Sequence, residues 1–395
     1  MNSEVIPACL APTILSGTME VMKILIISPY HGGSHKAWAE GYQRYGRNAV
    51  TLLSLPARFW KWRMHGGAVT LARQFLAQDD KPDLILATDM TDLTTFVSLA
   101  RHKIGGIPIV LYMHENQLTY PLPDDPDEGP MRRQQGERDL HYAFINFASM
   151  LVADQVLFNS AYHQQAFFDA LPNFLKHFPE YNELDLIPQL ESKSHILPVG
   201  IDLRRFDPEE TAASTTPAPP LILWNQRWEY DKNPADFFAA LYTMAGEDIP
   251  FRLALCGENF RRIPAEFAEA SIRLKPAIVH YGYANDALYQ SLLREAAVTI
   301  STAHHEFFGI SFIEAIYCQT FPLLPNRVSY PELLPPAFHQ ACLYNSQEEL
   351  VRKLRHTLQH PAQTAETAAA LAQHFVQYDW HTIAPMYDQF LEQLV

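Results

Sequence analysis

Short apolar runs rich in Val, Ile and Leu recur along the chain and alternate with longer segments of helical periodicity. The first series is Lys23–Ser28, Asp83–Thr88, Ile107–Tyr112, Gln155–Ser160 and His195–Gly200. A second series follows at Leu221–Trp224, Phe251–Cys256, Ile278–Tyr281, Val298–Ser301 and Phe321–Leu324. These runs are continuous rather than alternating, the pattern of strands buried on both faces of a parallel sheet. Between the two series, residues 207–220 are first acidic and then rich in Ala, Ser, Thr and Pro, which reads as a linker. Strand and helix alternating on both sides of a linker predict an α/β chain of two doubly wound domains, 22–206 and 221–376. The stretch 377–395 reads as a terminal helix that packs back on the first domain. Residues 1–21 show no clear periodicity and are expected to be a loosely ordered extension. No short-period repeat is present.

Composition narrows the class. With 395 residues, 48% hydrophobic and 19% charged, the chain can fill two sizeable cores and is not disordered. No apolar run approaches the roughly 18 residues of a spanning helix, and the first 21 residues lack the basic start of a signal peptide. The four cysteines, Cys9, Cys256, Cys318 and Cys342, are scattered without a Cys-x-x-Cys pair, a cytosolic pattern with no disulfide framework. A net charge of −14 excludes a generally basic nucleic-acid coat but leaves room for a local basic patch.

The candidate chemistry sits where strands end, the place at which open α/β sheets bind ligands. After the first strand comes Gly32-Gly33-Ser34-His35-Lys36, a turn that lets backbone approach an anion or simply satisfies turn geometry. Arg58-Phe59-Trp60-Lys61-Trp62-Arg63 interleaves three aromatics with three cations in an acidic chain. Aromatic faces can stack on bases while cations meet phosphates, or the tryptophans can enter the core. His114-Glu115-Asn116-Gln117 closes a later strand, with His114 either functional or structural. Asp125-Pro126-Asp127 lies in the acidic, Pro-rich loop Pro121–Pro130 and reads as a solvated turn, so no metal site is expected. Arg132, Arg133 and Arg138 open the next helix.

In the second half, Arg227 and Lys232 straddle a strand-to-helix turn, where two cations can neutralise a diphosphate or pair with Glu229 and Asp231. Glu258 and Tyr283 follow two further strands. Glu306 and Glu314 flank a Gly-containing entry (Phe308-Gly309-Ile310-Ser311) into an apolar helix, the layout of a polyol- or phosphate-binding crossover or of a solvated helix with two acids.

Arg227-x4-Lys232 followed by Glu306-x7-Glu314 resembles the donor site of retaining GT-B glycosyltransferases, with two Rossmann-like domains facing a central cleft. Together with the Gly32–Lys36, Lys61–Arg63, His114–Gln117 and His305–Gly309 motifs, the pattern from Met22 onward resembles the tRNA-queuosine α-mannosyltransferases. It departs from the animal members in lacking a long insert at the linker and in carrying the acidic 121–130 loop, which bears on acceptor details.

The resemblance implies transfer of mannose from GDP-mannose to queuosine at the tRNA wobble position in the cytoplasm, with no membrane partner and no metal cofactor. Arg227 and Lys232 would hold the diphosphate with amides of Gly309–Ser311 and of Gly33. Glu306 would hold sugar hydroxyls, Glu314 the ribose, and His114 would face the reacting sugar from the other domain. Glu258, Tyr283 and Phe308 would complete the donor site. Ser34, His35, Lys36, Arg58, Trp60, Lys61, Trp62, Arg63, Glu115, Asn116, Gln117, Arg132, Arg133 and Arg138 would meet the acceptor. Two other readings fit the same pattern: a GT-B enzyme acting on a lipid or free glycan, and a non-catalytic nucleotide-sugar-binding protein.

Overall fold

The computed structural model describes residues 21–121, 131–207, 218–257 and 263–395, with 131–139 described by backbone alone. The extension 1–20, most of the acidic 121–130 loop, most of the 207–220 linker and Glu258 lie outside the described residues.

Six strands form the first sheet: β1 (Lys23–His31), β2 (Ala49–Pro56), β3 (Leu84–Thr88), β4 (Ile109–Met113), β5 (Gln155–Phe158) and β6 (Ser194–Ile196). Six more form the second: β7 (Leu221–Trp224), β8 (Arg252–Cys256), β9 (Ile278–Gly282), β10 (Ala296–Ile300), β11 (Phe321–Pro325) and β12 (Leu343–Tyr344). Their spatial orders are β2-β1-β3-β4-β5-β6 and β12-β11-β10-β7-β8-β9, and every pairing is parallel. Helices cover both faces, which is why Ile24 to Ile27 of β1 can be apolar without alternation. The doubly wound α/β reading holds in both halves.

Two strands were not apparent in the chain's pattern. β2 is an edge strand in which only Leu53 is fully buried, so its Thr and Ser positions mask the run. β12 has only two residues.

Each order contains a switch point, where the chain leaves one strand to opposite sides: β1/β3 in the first sheet and β7/β10 in the second. The carboxyl ends of these strands form the crevice of a doubly wound sheet.

The last helix, Trp380–Glu392, is anchored on the first domain. Trp38 Nε1 donates to Tyr387 Oη at 2.9 Å, and Tyr42 donates to Asp388 at 2.8 Å. Trp380 fills the space over Gly41 and Gly200, where a Cβ would stand 2.1 and 2.3 Å from its ring. Ile201 forms a parallel bridge with Asp379, its amide donating to the Tyr378 carbonyl at 2.9 Å. A second seam joins the domains near their strand ends. Ser160 donates to the Phe307 carbonyl at 2.6 Å, His163 stacks on Phe307 at 3.9 Å, and the amides of Ala161 and Tyr162 both donate to Glu332 at 2.8 Å. Among the described residues, no helix is long and apolar enough to cross a membrane.

Candidate active site

The β7/β10 switch point brings together the residues that follow these two strands. Lys232 is buried; its Nζ donates to the His305 carbonyl at 2.9 Å and lies 3.3 Å from Glu306 Oε2 and 3.2 Å from Asp231. The second oxygen of Glu306 accepts from the amides of Phe308 (3.4 Å) and Gly309 (3.2 Å). Gly309 has φ +93°, a region open to glycine but strained for residues with a Cβ, and this lets the chain turn back over the carboxylate before the helix Ile310–Tyr317 begins. Burial works against both charges. For Lys232 it is outweighed by Glu306 and Asp231, so the ammonium titrates above its usual range. For Glu306 it is outweighed by Lys232 and His305, so the carboxyl titrates below its own. With the Gly309 amide directed at Glu306, the helix-start donors left to face a ligand are those of Ile310 and Ser311.

Arg227 points the other way, across the crevice. Its guanidinium is about half exposed, 3.4 Å from the Tyr120 hydroxyl of the first domain and 3.3 Å from Glu229. Burial opposes its charge, but Tyr120, Glu229, Asp231 and Glu115 hold it above its ordinary range. The Glu229 pairing weighed from the sequence is therefore present, and it leaves the cation facing the cleft.

Glu314 is buried inside the helix, with one oxygen accepting from Arg205 at 2.8 Å and the other from the Tyr289 hydroxyl at 2.7 Å. Burial raises its pKa, against the pull of Arg205 and Tyr289. Phe308 is buried beside Gly309, whereas Tyr283, 67% exposed, stands at the outer rim beyond β9.

On the opposite wall, β1, β3 and β4 deliver His35, Asp89 and His114. A single oxygen of Asp89 accepts from the His114 amide at 3.0 Å and lies 3.3 Å from its Nδ1. The His114 ring is boxed by Trp38 and Tyr112, both with centroids at 4.7 Å, and by His35 at 4.4 Å. Burial drives His114 down to about 3, and burial with His114 does the same to His35, so both imidazoles are neutral. Burial pushes Asp89 up to about 6, with His35 and the His114 amide opposing. A proton on His114 Nδ1, shared with Asp89, leaves Nε2 as an acceptor, and Nε2 is buried without a partner. His35, Asp89 and His114 also form the one grouping among the described residues whose nitrogen and oxygen atoms, within 4.8 Å of one another, could hold a metal ion.

The remaining acceptor-side candidates separate by position. Glu115 is driven up to about 7 by burial and by Asp89, with Arg227 opposing; it accepts from Gln117 at 3.2 Å. Asn116 is fully buried; its Oδ1 accepts from the amides of Leu118 and Thr119 at 3.0 and 2.8 Å and shapes the loop, while its Nδ2 has no partner. His35 is likewise buried against His114, while Gly33, Ser34 and Lys36 are exposed at the start of their helix.

In the aromatic-cation run, Trp60 turns inward onto Tyr142 at 5.2 Å, and Lys61 lies over the Trp60 ring at 5.3 Å. Trp62 is 62% exposed, Arg58 is exposed, and Arg63 donates to the Pro56 carbonyl at 3.1 Å. Arg132, Arg133 and Arg138 lie on the helix Met131–Val152, their side chains outside the described residues.

Asp89, Tyr120, Arg205 and Tyr289 escaped the sequence reading. Asp89 alone carried a findable signal, an acid directly beyond the β3 run. The others depend on contacts across more than a hundred residues or between neighbouring helices.

The chain's similarities agree with this geometry. Residues 23–201 match the family model described as tRNA-queuosine alpha-mannosyltransferase N-terminal, and 207–374 match glycosyl transferases group 1. A tRNA-queuosine alpha-mannosyltransferase of Drosophila melanogaster is 33% identical over 341 residues, 84% of this chain and 85% of that protein. A GDP-mannose-dependent alpha-(1-6)-phosphatidylinositol dimannoside mannosyltransferase of Mycobacterium tuberculosis is 26% identical over 171 residues, 42% of this chain and 44% of its own. Among solved structures, a sucrose-phosphate synthase from Thermosynechococcus elongatus superposes with TM-score 0.69 at 18% identity, covering 94% of this chain and 99% of that one. The catalytic domain of starch synthase IV from Arabidopsis thaliana gives 0.71 at 11% identity, covering 95% and 99%. These two carry the GT-B fold assignment. The chain belongs to the tRNA-queuosine alpha-mannosyltransferase family of GT-B glycosyltransferases.

Proposed function

We propose that the protein transfers mannose from GDP-mannose to the queuosine nucleoside at the wobble position of a tRNA anticodon, with retention at the anomeric carbon. The observation that carries this reading is the pairing across one crevice of two cations, Arg227 and Lys232, with the Asp89-held imidazole of His114, in a member of this family.

In this reading the bond from the anomeric carbon to the diphosphate oxygen breaks and a bond to an acceptor hydroxyl oxygen forms on the same face. The acceptor proton passes to the departing diphosphate. Arg227, Lys232 and the Ile310 and Ser311 amides supply the positive field for the charge that builds on that diphosphate, and no metal cofactor is assigned. Glu306, fixed by Lys232 and the Gly309 amide, accepts from sugar hydroxyls. The bare Nε2 of His114 accepts from a sugar hydroxyl on the other side. Glu314, already positioned by Arg205 and Tyr289, keeps lone pairs for the ribose.

We place the reaction in the cytoplasm. The described cysteines, Cys256, Cys318 and Cys342, are free thiols, each pushed up to about 12 chiefly by burial, as suits a reducing compartment.

The test is incubation with queuosine-containing tRNA and a panel of nucleotide sugars, followed by nucleoside mass measurement. A hexose added to queuosine from GDP-mannose alone is the expected result. No added hexose on any tRNA overturns the reading.

A further inference from the structure

The start of the helix Trp60–Leu76 carries two large aromatics that neither core uses. Phe59 is 73% exposed and Trp62 is 62% exposed. Phe59 caps the helix with φ 53° and ψ 58°, a left-handed conformation that disfavours a bulky residue, and it makes no side-chain capping bond. At Phe59 an exposed ring and a left-handed backbone coincide beside a second exposed aromatic, Trp62.

Trp62 has one face covered. Its indole lies along the helix over Gly66, where a Cβ would come within 2.6 Å of the ring. A residue larger than glycine would lift the indole off the helix. With glycine there, the ring is braced flat and its outer face is open.

The surroundings are cationic. From Arg58 to Gln78 the chain carries Arg58, Lys61, Arg63 and Arg73 and no acid, against a net charge of −14 overall. The patch is also continuous with the candidate active site. Trp60 and Tyr30 pack on Met64, Met90 and Tyr142; Tyr30 meets His35 edge-on at 6.1 Å; and His35 lies against His114.

Open aromatic faces set among cations, and packed through Trp60 and Tyr30 toward the candidate active site, suit an unpaired, unstacked stretch of nucleic acid. A duplex buries its base faces and would use only the cations. We infer that Phe59 and Trp62 form a stacking platform for unpaired loop nucleotides flanking the one that enters the pocket, while Arg58 and Arg63 meet their phosphates. This rests on the proposed RNA acceptor and adds how that RNA is gripped: by loop bases on aromatic faces, with Trp60 and Lys61 as internal supports.

The experiment measures binding of two fluorescent RNAs, a stem-loop with an unpaired loop and a fully paired duplex of equal length. The proteins are wild type, the double variant Phe59→Gly/Trp62→Ala, and the conservative Trp62→Phe. The double variant is expected to lose about tenfold or more in stem-loop affinity, since stacking is lost at two rings. Its duplex affinity and thermal midpoint should hold, and Trp62→Phe should retain most of the stem-loop binding. Stem-loop affinity unchanged in the double variant overturns the platform while the RNA-acceptor reading stands. Equal losses on stem-loop and duplex overturn it as well, because they mark a purely electrostatic or structural effect. Wild-type protein that binds neither RNA brings down both readings.

Discussion

One carboxylate oxygen of Asp89 holds both the backbone amide and the imidazole of His114, at 3.0 and 3.3 Å. Residues directly beyond two neighbouring parallel strands, β3 and β4, are thereby locked as a unit, and an ionised Asp89 favours the imidazole tautomer that carries its proton on Nδ1.

Asp89→Asn keeps the shape but removes the charge that favours a proton on His114 Nδ1. A hydrogen bond to a charged group is worth about 1.5–3 kcal/mol, so kcat for mannosyl transfer should fall about 10- to 100-fold with the nucleotide-sugar KM little moved. Steady-state kinetics in both substrates check this; an unchanged kcat would remove His114 from the sugar's side.

Arg227 and Lys232 should part company in stability. Loss of either charge-stabilising donor is expected to cost about 2.7–4 kcal/mol in the transition state, a drop of roughly 10²–10³ in kcat. Arg227→Ala takes away a half-exposed side chain and should leave the thermal midpoint near wild type. Lys232→Ala strands the carboxylates of Glu306 and Asp231, of which Asp231 is fully buried. It should also cost stability, on the order of 3–5 kcal/mol for a broken buried pair. Calorimetry beside kinetics separates the two.

Tyr289→Phe frees one oxygen of Glu314 from its 2.7 Å bond. If Glu314 binds the ribose, the KM for the nucleotide sugar should rise about tenfold, the equivalent of about 1.4 kcal/mol, and the KM for tRNA should stay put. A change confined to the tRNA would put Glu314 elsewhere in the reaction.

Acid should destabilise the fold well above the range in which ordinary carboxylates titrate. Burial holds His35 and His114 at about 3 and His305 at about 4, and puts His163 well below the ordinary value of 6.5. The unfolded chain therefore takes up these protons first. The stability they contribute is complete above about 6.5 and drains as pH falls toward 4, by up to about 1.4 kcal/mol per pH unit for each group. Asp89 and Glu115, raised to about 6 and 7, work in the opposite sense and offset part of the loss. The midpoint of thermal unfolding should drop between pH 6.5 and 4, and His163→Asn should flatten that slope. A flat profile in the wild type would contradict the burial of these rings.

The central strands were legible because β1, β3, β4, β7 and β10 are covered on both sides, and two-sided burial writes itself as an unbroken apolar run. β2 was not, because an edge strand half open to water carries Thr and Ser without penalty. In the site, Arg227, Lys232 and Glu306 announced themselves by sitting in the turns that follow such runs. Arg205 precedes the linker with nothing to mark it, and its bearing on Glu314 exists only once the chain has folded. Asn116 and Trp62 show the remaining limit. A polar residue in a loop can face inward and a tryptophan can face outward, and neighbours distant in sequence decide which.

The terminal helix that carries Trp380, Tyr387 and Asp388 also sets the order in which the molecule can be made. The face of the first domain built on Trp38 and Tyr42 stays uncovered while the whole second domain is being synthesised, although a domain near the amino end ordinarily completes as it emerges from the ribosome. The first Rossmann-like unit therefore closes this face only after the second has been made.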